Sequence, residues 1–103
     1  MKNINKLMKQ AQQMQSKILK LQEEMGEHRE EATAGGGVVT AGATGKGELV
    51  DLKIAPEVAN PEDVEMLEDL VLAAANEALR KAREAMEAEM KKATGGMGIP
   101  GLT

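Results

Sequence analysis

Residues 35–54 read GGGVVTAGATGKGELVDLKI, and the period of the apolar residues changes inside this stretch. Val50, Leu52 and Ile54 alternate with Asp51 and Lys53, the two-residue repeat of a strand with one buried face. Val39, Ala41 and Ala43 supply a second strand face. Gly35-Gly36-Gly37 and Gly45-Lys46-Gly47 supply the turns between strands. A first strand, poor in apolar residues, is expected between Glu27 and Ala34. The simplest arrangement is a three-stranded antiparallel meander within residues 27–56.

On either side the pattern is helical. Ile4, Leu7, Ala11, Met14, Ile18, Leu21 and Met25 are spaced alternately by three and four, an a/d seam sustained over about three heptads. Met8 and Leu19 widen the stripe. The spacing predicts a helix over about 3–26, with Gly26 as its C′ stop. Downstream, Asn60 is placed to cap a helix, Pro61 suits the first helical position, and Glu62 and Asp63 complement the dipole. Val64, Leu67, Val71, Ala74, Ala78, Ala82 and Ala85 then recur at helical spacing, which predicts a second helix over about 61–93. Leu70 to Ala75 are all apolar and are expected to be buried all round. Residues 95–103 read as a flexible tail rich in Gly and Met. The reading is an α+β fold, α-β-β-β-α, in one domain over 1–94.

A chain of 103 residues has room for a single small domain. Its apolar residues make up 42% of the sequence but include no Phe, Tyr or Trp. Aromatics supply the largest blocks of buried area. Two long helices without them leave too little buried surface for a monomer, so a homodimer is expected. Its core and interface are expected to draw on Leu7, Met14, Ile18, Leu21, Val50, Leu52, Ile54, Leu67, Leu70 and Val71. No Cys is present, which excludes disulfides and thiolate chemistry and fits a reducing cytoplasm. No apolar run reaches a membrane span and no signal-peptide pattern opens the chain. With one histidine, His28, and one serine, Ser16, no nucleophile–base pair or zinc set can be assembled. Gly45-Lys46 lacks the other residues of a phosphate-binding loop, with Thr40 and Gly47 at the diagnostic positions. The expectation is a protein without enzymatic activity, cofactor, metal, membrane or small-molecule substrate.

Charge distribution points to an anionic partner, although the net charge is −4. Lys2, Lys6, Lys9, Lys17 and Lys20 occupy residues 1–22 without a single acid, and Glu23, Glu24, Glu27, Glu30 and Glu31 follow. A helix N-terminus carries a partial positive charge, so this order opposes the dipole. Arg80, Lys81, Arg83, Lys91 and Lys92 form a second basic group near the other terminus. These ten residues are the candidate anion-binding set. Ten lysines against three arginines favour phosphate neutralisation over base reading, and the lack of aromatics argues against stacking on unpaired bases. Duplex DNA held through its backbone with weak sequence preference is the expected partner. A scaffold whose helical arms grip another protein is the alternative.

The same residues resemble the YbaB/EbfC nucleoid-associated proteins. LMKQAQQMQ at 7–15 and LQEE at 21–24 look like the family's N-terminal signature. VDLKIAP at 50–56 is similar to its final strand, EMLEDLV at 65–71 with Ala73, Ala74 and Asn76 to its second helix, and GGMGIPG at 95–101 to its ending. The resemblance implies a small bacterial homodimer, cytoplasmic and associated with the nucleoid. Its paired helices would project from a shared sheet like tweezers, bind duplex DNA and influence gene expression. It also implies that the ten basic residues on the two helices touch DNA, and that there is no catalytic motif.

Overall fold

The computed structural model describes residues 2–95, and of Lys2 only the backbone. The elements are α1 (Lys2–Glu27), β1 (Arg29–Ala34), β2 (Val39–Thr44), β3 (Leu49–Ile54), a 3-10 turn (Pro56–Val58) and α2 (Val64–Ala93). The three strands form one antiparallel sheet in the order β1-β2-β3. The expected α-β-β-β-α order is therefore the observed one. The tail expected over 95–103 lies, apart from Gly95, outside the described residues.

Register sorts the strand residues onto two faces. Ala32 pairs with Ala41 and Ala41 with Leu52; Ala34 pairs with Val39 and Val39 with Ile54. This is the face on which α2 lies, and Ala74, Ala78 and Ala82 cluster there with Ala32, Val39, Ala41, Ala43 and Val58, all buried. Arg29, Glu31, Thr33, Thr40, Asp51 and Lys53 occupy the other face, where Arg29 donates to Asp51 at 2.6 Å.

The helix covers β1 and β2 and only grazes β3. Consequently Val50, Leu52 and Ile54, expected to be buried on one side, are 52%, 48% and 37% exposed. A bulge contributes, since Gly42 pairs with Asp51 and Ala43 with Leu49, leaving Val50 as the extra residue. Leu67, Leu70 and Val71 pack against the core at its margin. The 70–75 run is not buried all round: Leu72 is 63% exposed and only Ala74 is fully buried. A helix on one face of a sheet has one inward stripe, whatever the apolar content of its sides.

Helix ends differ from the sequence reading in instructive ways. α2 begins at Val64 because Asp63, not Asn60, accepts from the Met66 amide at 3.2 Å. Asn60 instead accepts from the Glu62 amide in the preceding turn, at 3.0 Å. α1 runs through Gly26 to Glu27. Its end is fixed by the β2–β3 turn, where the Gly45 amide donates to the carbonyls of Met25 at 2.8 Å and His28 at 3.1 Å. A Cβ at Gly45 would fall 2.7 Å from the Met25 carbonyl oxygen, so only glycine permits this approach. Gly35, at φ 63°, makes the other essential turn, with the Leu70 side chain directly over it.

These anchors fix the helix directions. α1 arrives at the sheet end that carries Gly45, and α2 leaves at the same end after Lys81 donates to the Glu31 carbonyl at 2.6 Å. The helices touch each other and run antiparallel away from the sheet, in a molecule 72 × 22 × 17 Å in extent. At about 1.5 Å per residue, α1 extends about 39 Å and the part of α2 beyond Lys81 about 18 Å. Among the described residues the N-terminal half of α1 therefore has no neighbour from another element, and residues 3–13 are all exposed.

Gly45→Ala should lower stability by about 1–3 kcal/mol through forced displacement of the α1 end. A thermal melt followed by circular dichroism reads this, and an unchanged midpoint would show that the turn tolerates a methyl group.

Candidate nucleic-acid interface

Helix α1 has two opposed faces. Met14 and Ile18 are half-buried, and Leu21 and Met25 are buried at 7% and 4%, so the seam points inward where α1 meets the body. At about 100° per residue, the positions of Lys2, Lys6, Lys9, Lys17 and Lys20 fall within about 40° of the line opposite Ile4. These five positions therefore share one side of α1 as a stripe. Lys6, Lys9, Lys17 and Lys20 are exposed, and no acid lies within ion-pair distance of them among the described residues. A shallow concavity lined by Lys9, Gln12, Gln13, Ser16 and Lys17 runs along the stripe. Its amides and hydroxyl supply hydrogen-bond groups beside the ammonium groups, a combination suited to phosphate oxygens. The 4-3-8-3 spacing of the lysines carries this signal in the sequence, and the sequence reading overlooked it.

The α2 group is less uniform. Arg80 is paired with Glu77 and, at 2.6 Å, with Glu84. Hydrogen bonding to Arg80 holds the Glu77 carboxyl below the ordinary carboxylate range, and the same contact raises the Arg80 guanidinium. That charge is largely committed within the helix. Lys81 is half-buried and spends its ammonium on the Glu31 carbonyl. Lys92 lies 3.4 Å from Glu89. Arg83 and Lys91 are exposed, without an ion-pair partner among the described residues. Lys91 and Lys92 also stand in the last turn, where the dipole welcomes them. In α1 the opposite holds: no acid occupies the first turn and no base the last. Lys46, from the β2–β3 turn, lies over Gly26 and brings a positive charge to the negative end of α1.

The remaining candidates for chemistry are structural. His28 is bonded to Glu30 at 2.6 Å on the surface. Among the described residues no three His or acidic side chains are grouped to hold a metal, and no helix is long and apolar enough to cross a membrane. Two apolar surfaces stand open. One is the α1 seam at Ile4, Leu7 and Met8, exposed by 59%, 62% and 57%. The other is a groove between β3 and α2 lined by Leu49, Val50, Asp51, Leu52, Val71 and Ala75.

Comparison with known proteins gives a consistent result. The YbaB/EbfC DNA-binding family profile matches residues 1–97. A nucleoid-associated protein of Thermoanaerobacter pseudethanolicus is 59% identical over 100 residues, covering 97% of this chain and 90% of the relative. One from Acetivibrio thermocellus is 58% identical over 101 residues, covering 97% and 89%. The crystal structure of an uncharacterized protein from Helicobacter pylori superposes with a TM-score of 0.78 at 26% identity, covering 86% of this chain and 94% of that one.

The two lysine environments predict different phenotypes. Lys81→Ala should cost about 0.5–1.5 kcal/mol of stability, the net worth of one intramolecular hydrogen bond, because it removes the donor to the Glu31 carbonyl. Lys9→Ala should leave the melting midpoint nearly unchanged. In duplex titrations at fixed salt the order should reverse, with Lys9→Ala the weaker binder.

Proposed function

Because the chain belongs to the YbaB/EbfC DNA-binding family, we propose that it is a nucleoid-associated, non-enzymatic protein that grips duplex DNA through the backbone as a homodimer. The carrying observation is the line of exposed lysines along α1, Lys6, Lys9, Lys17 and Lys20, with no ion-pair partner among the described residues. Lys2, Lys6, Lys9, Lys17 and Lys20 form its main contact line, and Arg83, Lys91 and Lys92 extend it from α2. Arg80 and Lys81 contribute field more than contact. Lysine neutralises phosphate as a point charge, so sequence preference is weak and binding is driven by counterion release. The protein acts in the cytoplasm on the nucleoid, which it organises, and gene expression responds through DNA shape and access.

Homodimer formation is supported by β3, an open edge strand with apolar residues on display. An exposed apolar edge tends to pair with another strand, and the bulge at Val50 limits that pairing to part of β3. A second β3 running antiparallel would continue the sheet and bring each Leu52 beside the partner's α2. Leu52→Asp should convert the dimer to a monomer or unfold it, as read by sedimentation at micromolar concentration. A wild-type protein that sediments as a folded monomer would refute the dimer.

The DNA reading is tested by replacing Lys2, Lys6 and Lys9 with Glu together. Duplex affinity should fall by about tenfold or more, and the slope of log affinity against log salt should shrink by about 0.9 for each phosphate that is no longer neutralised. The free protein should gain about 0.3 kcal/mol, chiefly from position 2, because acids suit the first turn of a helix and the effect fades beyond it. Unchanged binding at matched salt would exclude α1 as the DNA arm. Tight binding of a protein with little salt dependence would favour the scaffold reading.

A further inference from the structure

The lysine stripe uses one side of α1 and leaves the seam on the other side unoccupied over the first two to three turns. Met14, Ile18, Leu21 and Met25 are drawn into the body, whereas Ile4, Leu7, Met8 and Ala11 face solvent. With Ile4 and Leu7 at a and d, the flanking positions hold Asn3, Met8, Gln10 and Gln15. No flanking position from 3 to 15 carries a charge. A foreign helix chosen by charge would find no complement there, whereas an identical helix meets amides with amides and apolar residues with their like. The seam is self-complementary, as a closed two-fold contact requires.

Resting on the DNA-binding reading above, we infer that the α1 tip is a second self-association surface, through which the arm of one DNA-bound dimer pairs with the arm of another. An antiparallel pairing over residues 4–11 keeps the two bodies apart, since each α1 runs toward its own sheet. The lysines remain on the far side of each helix, free to hold phosphate while the seam is engaged. Such a contact covers about two turns, far below the roughly 1,000 Å² of a stable free interface. It therefore forms where DNA holds dimers close together and supplies the effective concentration. The lysines work in the same direction: neighbouring arms repel in free solution and are neutralised on the duplex. The tip makes binding cooperative along a duplex and links separate duplexes.

The test compares wild type with the double variant Ile4→Gln, Met8→Gln on a duplex long enough for one dimer and on one many times longer. Wild type should bind the long duplex cooperatively, with apparent affinity per site raised about tenfold or more. The variant should match wild type on the short duplex and lose that gain. Equal cooperativity in the variant overturns the proposal. So does equal loss on the short duplex, which would make the seam a DNA contact, or dissociation of the variant in sedimentation, which would make it part of the basic dimer. If wild type binds no duplex, the DNA reading fails by itself, and a cysteine probe still judges the tip. The chain has no native Cys, so Met8→Cys oxidised at millimolar concentration should yield disulfide-linked chain pairs that join two dimers, sized as four chains before denaturation and as two after it, and Ile4→Gln should suppress them. Absence of those products overturns the tip contact.

Discussion

The contact between the alanine stripe of α2 and the alanines of β1 and β2 sets the terms for the rest of the molecule. Ala74, Ala78 and Ala82 have no exposure, nor do Val39, Ala41 and Ala43 beneath them. Side chains of this size let a helix lie close to a sheet and lose no rotamer entropy in doing so. They also bury little area, at about 25 cal/mol per Å² of apolar surface removed from water. The result is a well-defined but thin core, in which Val39 is the largest side chain that is fully enclosed.

Everything larger is displaced to the margins. Leu67, Leu70 and Val71 pack only partly, Leu72 faces solvent, and Leu49, Leu52 and Ile54 lie beyond the edge of the covering helix. The same shortage leaves half of the α1 seam without a partner among the described residues. A small chain lacking aromatics has closed the one contact its alanines allow and presents its Leu, Ile and Met residues outward. Those residues stay open to solvent, and association of copies is a common solution for domains too small to bury their apolar surface alone.

Electrostatics follows a second logic. α2 obeys its dipole, with Glu65 in the first turn and Lys91 and Lys92 in the last. α1 runs against its own, and the fold compensates only at the C-terminal end, through Lys46 and the Gly45 amide. Nothing among the described residues compensates the lysine stripe. Intramolecular pairing has consumed the charge of Arg80 and the ammonium of Lys81, so the basic group that looks denser in α2 is the less available one. Charge left unpaired on a projecting arm is the feature on which the proposed duplex contact rests.

The order α-β-β-β-α, both glycine turns and the inward alanine stripe were legible from periodicity, because the period of apolar residues is a local property of the chain. The α1 lysine stripe was equally legible, from its spacing. The start of α2 at Asp63 rather than Asn60 was not, since both residues can cap and the choice depends on how the 3-10 turn delivers the chain. Nor could the sequence say that Val50, Leu52 and Ile54 stay exposed or that Leu7 and Met14 fall on opposite sides of a burial boundary. It equally could not show that Lys81 is anchored to a strand while Lys9 is free. Each of these depends on which faces meet and how far one element overhangs another. Pattern states which side of an element is apolar; only the tertiary structure decides whether anything covers it.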